Sequence, residues 1–132
     1  MNPQLETIDH IHVIVSDRQK ALDWYKNILG LKPLEKIIAL PKSGPLMIRN
    51  NEGNINIALF KGTQTNNPAV IAFKVSGKEF INCHNKIINS LNENIKVVDH
   101  GLQFSIYFED PYGNPYEITS YDYDMITEFQ RK

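Results

Sequence analysis

His10-Ile11-His12-Val13-Ile14-Val15-Ser16 recurs, later in the chain and at a constant offset, as Val70-Ile71-Ala72-Phe73-Lys74-Val75-Ser76. Both are apolar-rich runs of strand length that end on a serine, and a stretch with helical periodicity follows each. The same offset sets Lys86 on Lys26, Ile88 on Ile28 and Leu91 on Leu31. Identity between the two copies is weak, but the order of elements is kept, which is how a duplicated unit persists. It is a repeat of two, not a solenoid.

Working outward from the first copy, Ile8 to Val15 reads as a strand, and Ser16 or Asp17 can cap a helix running through Leu29. Ala21, Leu22, Tyr25, Ile28 and Leu29 form one apolar stripe on that helix, Trp24 beside it reads as packing, and Gly30 closes it. Three strands are expected over 31–40, 45–49 and 55–60, separated by Lys42-Ser43-Gly44 and Asn50-Asn51-Glu52-Gly53, which carry hairpin-turn chemistry. Gln64-Thr65-Asn66-Asn67-Pro68 is a polar break and the natural joint. The second copy then gives a helix over 78–91, strands over 95–99, 103–108 and 116–120, and a terminal helix over 123–130. His84, beside Ile81 and Ile88, reads as a residue at the boundary of helix and core.

The expectation is an α+β fold in one domain over residues 1–132, with module one at about 6–62, module two at about 68–121 and a closing helix at about 122–131. Two βαβββ modules can lay their strands into a strongly curved mixed sheet, helices outside. The inner face is then a preformed cavity suited to a small molecule.

Bulk properties narrow the function. With 132 residues the chain fits one domain, and 42% hydrophobic with 22% charged residues is an ordinary globular composition. No run approaches the roughly 18 apolar residues of a membrane helix, and Met1 to Glu6 lacks the basic-then-apolar pattern of an export signal. Cys83 is the only cysteine, which excludes an internal disulfide and a multi-thiolate zinc site and fits a cytoplasmic home. Net charge is −1 with scattered basic residues, against a nucleic-acid surface. The partner expected is a small molecule.

The most specific stretch runs from Asp99-His100 through Ile106-Tyr107-Phe108 and Asp110-Pro111-Tyr112-Gly113-Asn114 to Glu117. The Asp-Pro-Tyr-Gly-Asn segment is a tight turn, and the hairpin it closes brings Tyr107 and Glu117 to neighbouring strands. This stretch resembles the signature of extradiol ring-cleavage dioxygenases. The first module, from Ile8-Asp9-His10 through Val15-Ser16-Asp17 to Leu29-Gly30-Leu31, resembles the wider vicinal oxygen chelate superfamily of glyoxalases, bleomycin-resistance proteins and those dioxygenases.

The resemblance implies that Glu117 and His10 bind a divalent metal (Fe, Mn, Ni or Zn) and that His100 and Tyr107 assist substrate and oxygen chemistry. It also implies a homodimer. A second metal-binding histidine is expected at the position equivalent to His10, and that residue is Val70. The first module's closing strand, Asn54-Ile55-Asn56-Ile57-Ala58-Leu59, offers no carboxylate either.

His12, two residues from His10, points to the same strand face. It is either a third ligand or a cavity-lining, hydrogen-bonding side chain, because same-face neighbours on one strand stand roughly 7 Å apart. His100 is either catalytic or a solvent-exposed turn residue, and Tyr107 either catalytic or sheet packing. Without metal, Glu117 has to be solvated, protonated or paired with a cation such as His100.

Two functions follow. One is an extradiol dioxygenase-like or glyoxalase-like enzyme acting on a small oxygenated or aromatic molecule. The other is a metal-free binding protein of the bleomycin-resistance kind, with a degenerate metal site. A partner-binding domain with a vestigial site is a third, blander possibility.

Overall fold

The computed structural model describes residues 2–33, 44–64 and 68–132. The chain forms two compact units, residues 1–64 and 65–132.

In the first unit β1 (Ile11–Val15) leads into α1 (Arg18–Trp24), which passes directly into a π-helical turn at Tyr25–Leu29. Asp17 is the N-cap, its side chain accepting from the amides of Gln19 and Lys20. Gly30 ends the helix with φ +67, the left-handed conformation that favours glycine. β2 (Lys32–Pro33), β3 (Leu46–Arg49) and β4 (Asn56–Lys61) complete the unit, and the sheet order is β1-β4-β3-β2, with β1 parallel to β4. Pro33 lies on an edge strand, where its missing N–H costs least.

One face of this sheet is closed by the helix. Val13, Val15, Leu46, Ile48, Ile57 and Leu59 alternate onto it and are buried with Ala21 and Tyr25. The apolar stripe read from the sequence is thus the packing face. Trp24 packs edge-on to the ring of Tyr25, centroids 4.9 Å apart.

The second unit repeats the plan: β5 (Ile71–Lys74), α2 (Gly77–Leu91), β6 (Val98–Asp99), β7 (Phe104–Glu109) and β8 (Pro115–Ser120), in the order β5-β8-β7-β6 with β5 parallel to β8. Ser76 caps α2 by accepting from the Glu79 amide, and Asn92 ends it in the left-handed region. α3 (Tyr123–Gln130) packs on α2, and Asp122 accepts from the Gly77 amide at 2.6 Å. A Cβ on Gly77 would lie 2.9 Å from that of Asp122, so this approach requires glycine. Phe104, Ile106, Phe108, Tyr116 and Ile118 bury against the helix side with Phe80, Ile87 and Ile126.

The α+β class and the two βαβββ units stand as expected, the described strands forming one four-stranded mixed sheet in each unit, while several bounds move. The first strand begins at Ile11, not Ile8, leaving His10 just outside it. The strand expected over 31–40 is met at Lys32–Pro33, Leu31 stays outside it, and 34–40 lies outside the described residues, as do Lys42, Ser43 and Thr65 to Asn67. The strand expected over 95–99 shortens to Val98–Asp99. No helix among the described residues is long and apolar enough to cross a membrane.

Candidate functional site

The register of each unit ranks its polar residues. In the second unit Glu117 on β8 lies between Ala72 on β5 and Tyr107 on β7. In the first, Ala58 on β4 lies between His12 on β1 and Met47 on β3. The two rows are equivalent, so Ala58 stands where Glu117 stands in the other unit. β5 starts one residue after Val70, just as β1 starts one residue after His10. The first unit therefore carries the histidines and the second the carboxylate.

The turn before β8 fixes the second row. Asp110, 4% exposed, accepts through Oδ1 from the amides of Tyr112 and Asn114 and through Oδ2 from the Asn114 side chain. Gly113 in this turn has φ +83. With the turn so held, Tyr107 falls directly opposite Glu117.

Alternation along β7 and β8 puts Ser105, Tyr107, Glu117 and Thr119 on the face turned away from the helices. Tyr107 is exposed, and its hydroxyl lies 3.0 Å from His100 Nε2. His100 is also exposed, in the turn between β6 and β7. The two residues read as catalytic from the sequence thus touch each other, next to Glu117 on the same row. Glu117 does not pair with His100; its Oε2 accepts from the Ser105 hydroxyl at 2.7 Å.

In the first unit the rings of His10 and His12 stack, with centroids 4.9 Å apart, and their Nε2 atoms approach to 3.0 Å. The spacing of roughly 7 Å expected from strand geometry does not hold here. His10 precedes the strand, so its ring is free to swing over His12. His12 also packs on Phe60, centroids 4.5 Å apart. Asp9 Oδ2 lies 2.7 Å from His10 Nδ1. When the carboxylate accepts the Nδ1 proton, a neutral His10 presents its lone pair at Nε2, and here that lone pair faces His12.

This arrangement can be tested against a divalent cation. Two bonds of about 2.1 Å place donor nitrogens about 3.0 Å apart on a six-coordinate ion and about 3.4 Å apart on a tetrahedral one, and the His10–His12 separation of 3.0 Å is also that of an ordinary N–H···N hydrogen bond. An outer carboxylate on the far ring nitrogen, as Asp9 supplies, is the usual support of a ligating histidine. Asp9 is 94% exposed, so it orients the ring more than it stabilises charge. The separation, once the contact between the two rings is given up, suits two adjacent positions on a six-coordinate first-row ion. Among the described residues no three His, Cys, Asp or Glu side chains are gathered to hold a metal.

Ser105, Thr119 and Asp9 were not singled out in the sequence. Ser105 and Thr119 each lie two residues from a flagged one, so same-face spacing along the two strands was the available signal. His84 is part of the helix layer: its Nε2 lies 2.6 Å from the Ile95 carbonyl. It also lines a cleft of about 190 Å³ between α2 and α3, with Phe80, Ile81, Val97, Ile126 and Phe129. Burial pushes the half-buried Cys83 thiol above its ordinary range, helped by Glu79 and opposed by Lys86.

Comparison with known proteins agrees with this architecture. The description Glyoxalase/Bleomycin resistance protein/Dioxygenase superfamily matches residues 7–118. Comparison with curated proteins gives no match. Among solved structures, a glutamate-to-glutamine mutant of the fosfomycin resistance protein FosX from Listeria monocytogenes, complexed with Mn(II) and 1S,2S-dihydroxypropylphosphonic acid, superposes with TM-score 0.72 at 20% identity, covering 96% of this chain and 99% of that one. A protein from Bacillus anthracis ascribed to the glyoxalase family gives TM-score 0.70 at 25% identity, over 92% and 100% of the two chains. FosX from Mesorhizobium loti gives 0.67 at 18% identity, over 89% and 93%. With the family match spanning most of the sequence and the same unit built twice, the chain belongs to the Glyoxalase/Bleomycin resistance protein/Dioxygenase superfamily.

Proposed function

We propose that this protein takes up a divalent cation at its His10–His12 pair, with Glu117 the candidate carboxylate ligand of the second unit, and acts with it on a small oxygenated or aromatic molecule. The observation that carries the reading is the 3.0 Å approach of the two Nε2 atoms, with Asp9 behind His10. The Mn(II) complex of FosX, a protein of the same fold, supports it. The cation, when bound, would supply Lewis-acid polarisation of the substrate oxygens.

The chain's own residues do the rest. His12 has to give up its bond to His10, turning its Nε2 from donor to lone-pair bearer. Glu117 offers Oε1, since Oε2 is occupied by Ser105. Tyr107 and His100, 3.0 Å apart, can pass a proton between the phenol and the imidazole at the edge of the same row. Extradiol-type ring cleavage and glyoxalase-type proton transfer both use such parts, and the choice between them is a matter for substrate screening. A homodimer is part of the proposal.

Metal analysis of protein purified without chelator or affinity tag, with Fe²⁺, Mn²⁺, Ni²⁺ and Zn²⁺ titrations, tests the reading. Near-stoichiometric uptake is the expected result. A second reading, metal-free sequestering of an apolar ligand, is favoured by Val70 and Ala58 at the two positions where donors are missing. Absence of measurable affinity for all four ions would select it.

A further inference from the structure

Phe80, Ile81 and His84 on α2 meet Ile126 and Phe129 on α3 across the cleft between the two helices, at the three- and four-residue spacing that keeps side chains on one helix face. Val97, from the segment after α2, closes the third side. Phe80 and Ile126 are each 1% exposed and belong to the core, while Phe129, at 52%, forms the open rim. The space enclosed is about 190 Å³. An apolar cavity of about 150 Å³ is enough to take a benzene ring.

One polar group in this wall has its hydrogen bonding decided by the backbone. His84 Nε2 lies 2.6 Å from the Ile95 carbonyl oxygen. A carbonyl oxygen only accepts, so Nε2 carries the proton and, in the neutral ring, Nδ1 is left with a lone pair. Among the described residues nothing donates to that nitrogen. The same bond ties the segment that follows Asn92, the left-handed end of α2, back onto the helix, so the ring and Val97 are held in one frame. The wall is therefore apolar and aromatic with one fixed acceptor. A ring-sized group that brings a single O–H donor satisfies it. A carboxylate, which only accepts, would meet Nδ1 without forming a bond.

We propose that the α2–α3 cleft binds a small phenolic molecule, its ring against Phe80 and Phe129 and its hydroxyl donating to His84 Nδ1. The site lies wholly within the second unit. It calls on no metal and on no residue of the first unit, so it stands or falls apart from the proposed function.

The probe is p-cresol, titrated into the full chain at about pH 8, above the ordinary histidine range, and followed through amide chemical shifts. 4-Methylanisole, which has the same ring without the donor, is titrated alongside. Saturable p-cresol binding at about 0.1–1 mM is expected for so small a ligand, with the shifts concentrated on α2, α3 and Val97. 4-Methylanisole is expected to bind about 3- to 10-fold more weakly, the effect of one hydrogen bond. His84→Phe keeps a ring and removes the acceptor, so it should lose the preference for p-cresol. Phe129→Ala, at an exposed position, should weaken both ligands by a similar factor and keep their ratio. That ratio reads the hydrogen bond whatever a variant loses in stability. Absence of saturable p-cresol binding by the parent, or shifts centred on the first unit, overturns the proposal. So does a His84→Phe protein that prefers p-cresol as the parent does. Should His84→Phe fail to fold, the parent decides alone: equal affinity for the two ligands overturns the assigned hydrogen bond and with it the phenolic class.

Discussion

His10 Nε2 and His12 Nε2 lie 3.0 Å apart, closer than two side chains on one face of an extended strand ordinarily stand. The structure shows the pair as an N–H···N contact, and the proposed function exchanges that contact for a shared ion. Removing either ring leaves a single nitrogen. His12→Ala is expected to weaken Mn²⁺ binding by at least about tenfold, which is about 1.4 kcal/mol. His10→Ala should do the same, as it removes the ring that Asp9 orients. Unchanged affinity in His12→Ala would return that residue to a purely packing and hydrogen-bonding role.

Val70 occupies the place in the second unit that His10 occupies in the first, and it is 54% exposed. It lies two residues before Ala72, the neighbour of Glu117 in the parallel pairing. A histidine there adds a nitrogen donor at little cost to the core. Val70→His is expected to raise Mn²⁺ affinity by roughly tenfold or more, read by the same titration. No gain would mean that the equivalence of the two strand starts does not extend to the side chains.

Much of the architecture could be read from the chain before its structure. The recurrence of His10–Ser16 as Val70–Ser76 corresponds to β1 and β5, and the turn at Asp110–Asn114 does pair Tyr107 with Glu117. These succeed because strand alternation and turn chemistry act over a few residues. The site was less legible. Ser105 looks like any residue of an alternating strand, and only the cross-strand register shows that its hydroxyl reaches Glu117. The His10 ring escapes the strand rule because β1 begins after it. The π-helical turn at Tyr25–Leu29 was hidden as well, since one apolar stripe serves an α-helix and a π-turn equally well.

Asp110 ties down the turn that sets the register of the row, accepting three hydrogen bonds from a site that is 4% exposed. Asp110→Ala leaves buried donors without an acceptor. It is expected to cost about 2–3 kcal/mol in urea unfolding. A loss within about 0.5 kcal/mol, the range of ordinary surface changes, would show that the turn holds itself without this side chain.

Cys83 stays a thiol to higher pH than an ordinary cysteine, because burial disfavours its charged form and Glu79 adds to that. The folded state therefore prefers the neutral group, and the associated stability is present at neutral pH and lost as pH rises through the raised value. Reaction with an aromatic disulfide reagent should be slow at neutral pH and accelerate only in the alkaline range. A neutral-pH rate equal to that of an unstructured cysteine would contradict this.

The central claim is that the His10–His12 pair takes up a divalent cation, and Mn²⁺ titration of the parent protein beside a His10→Ala/His12→Ala double variant addresses it most directly. The account predicts near-stoichiometric binding in the parent and its loss in the variant, with both proteins melting at similar temperatures when metal-free. Equal binding by the two proteins, or none by the parent, would contradict it.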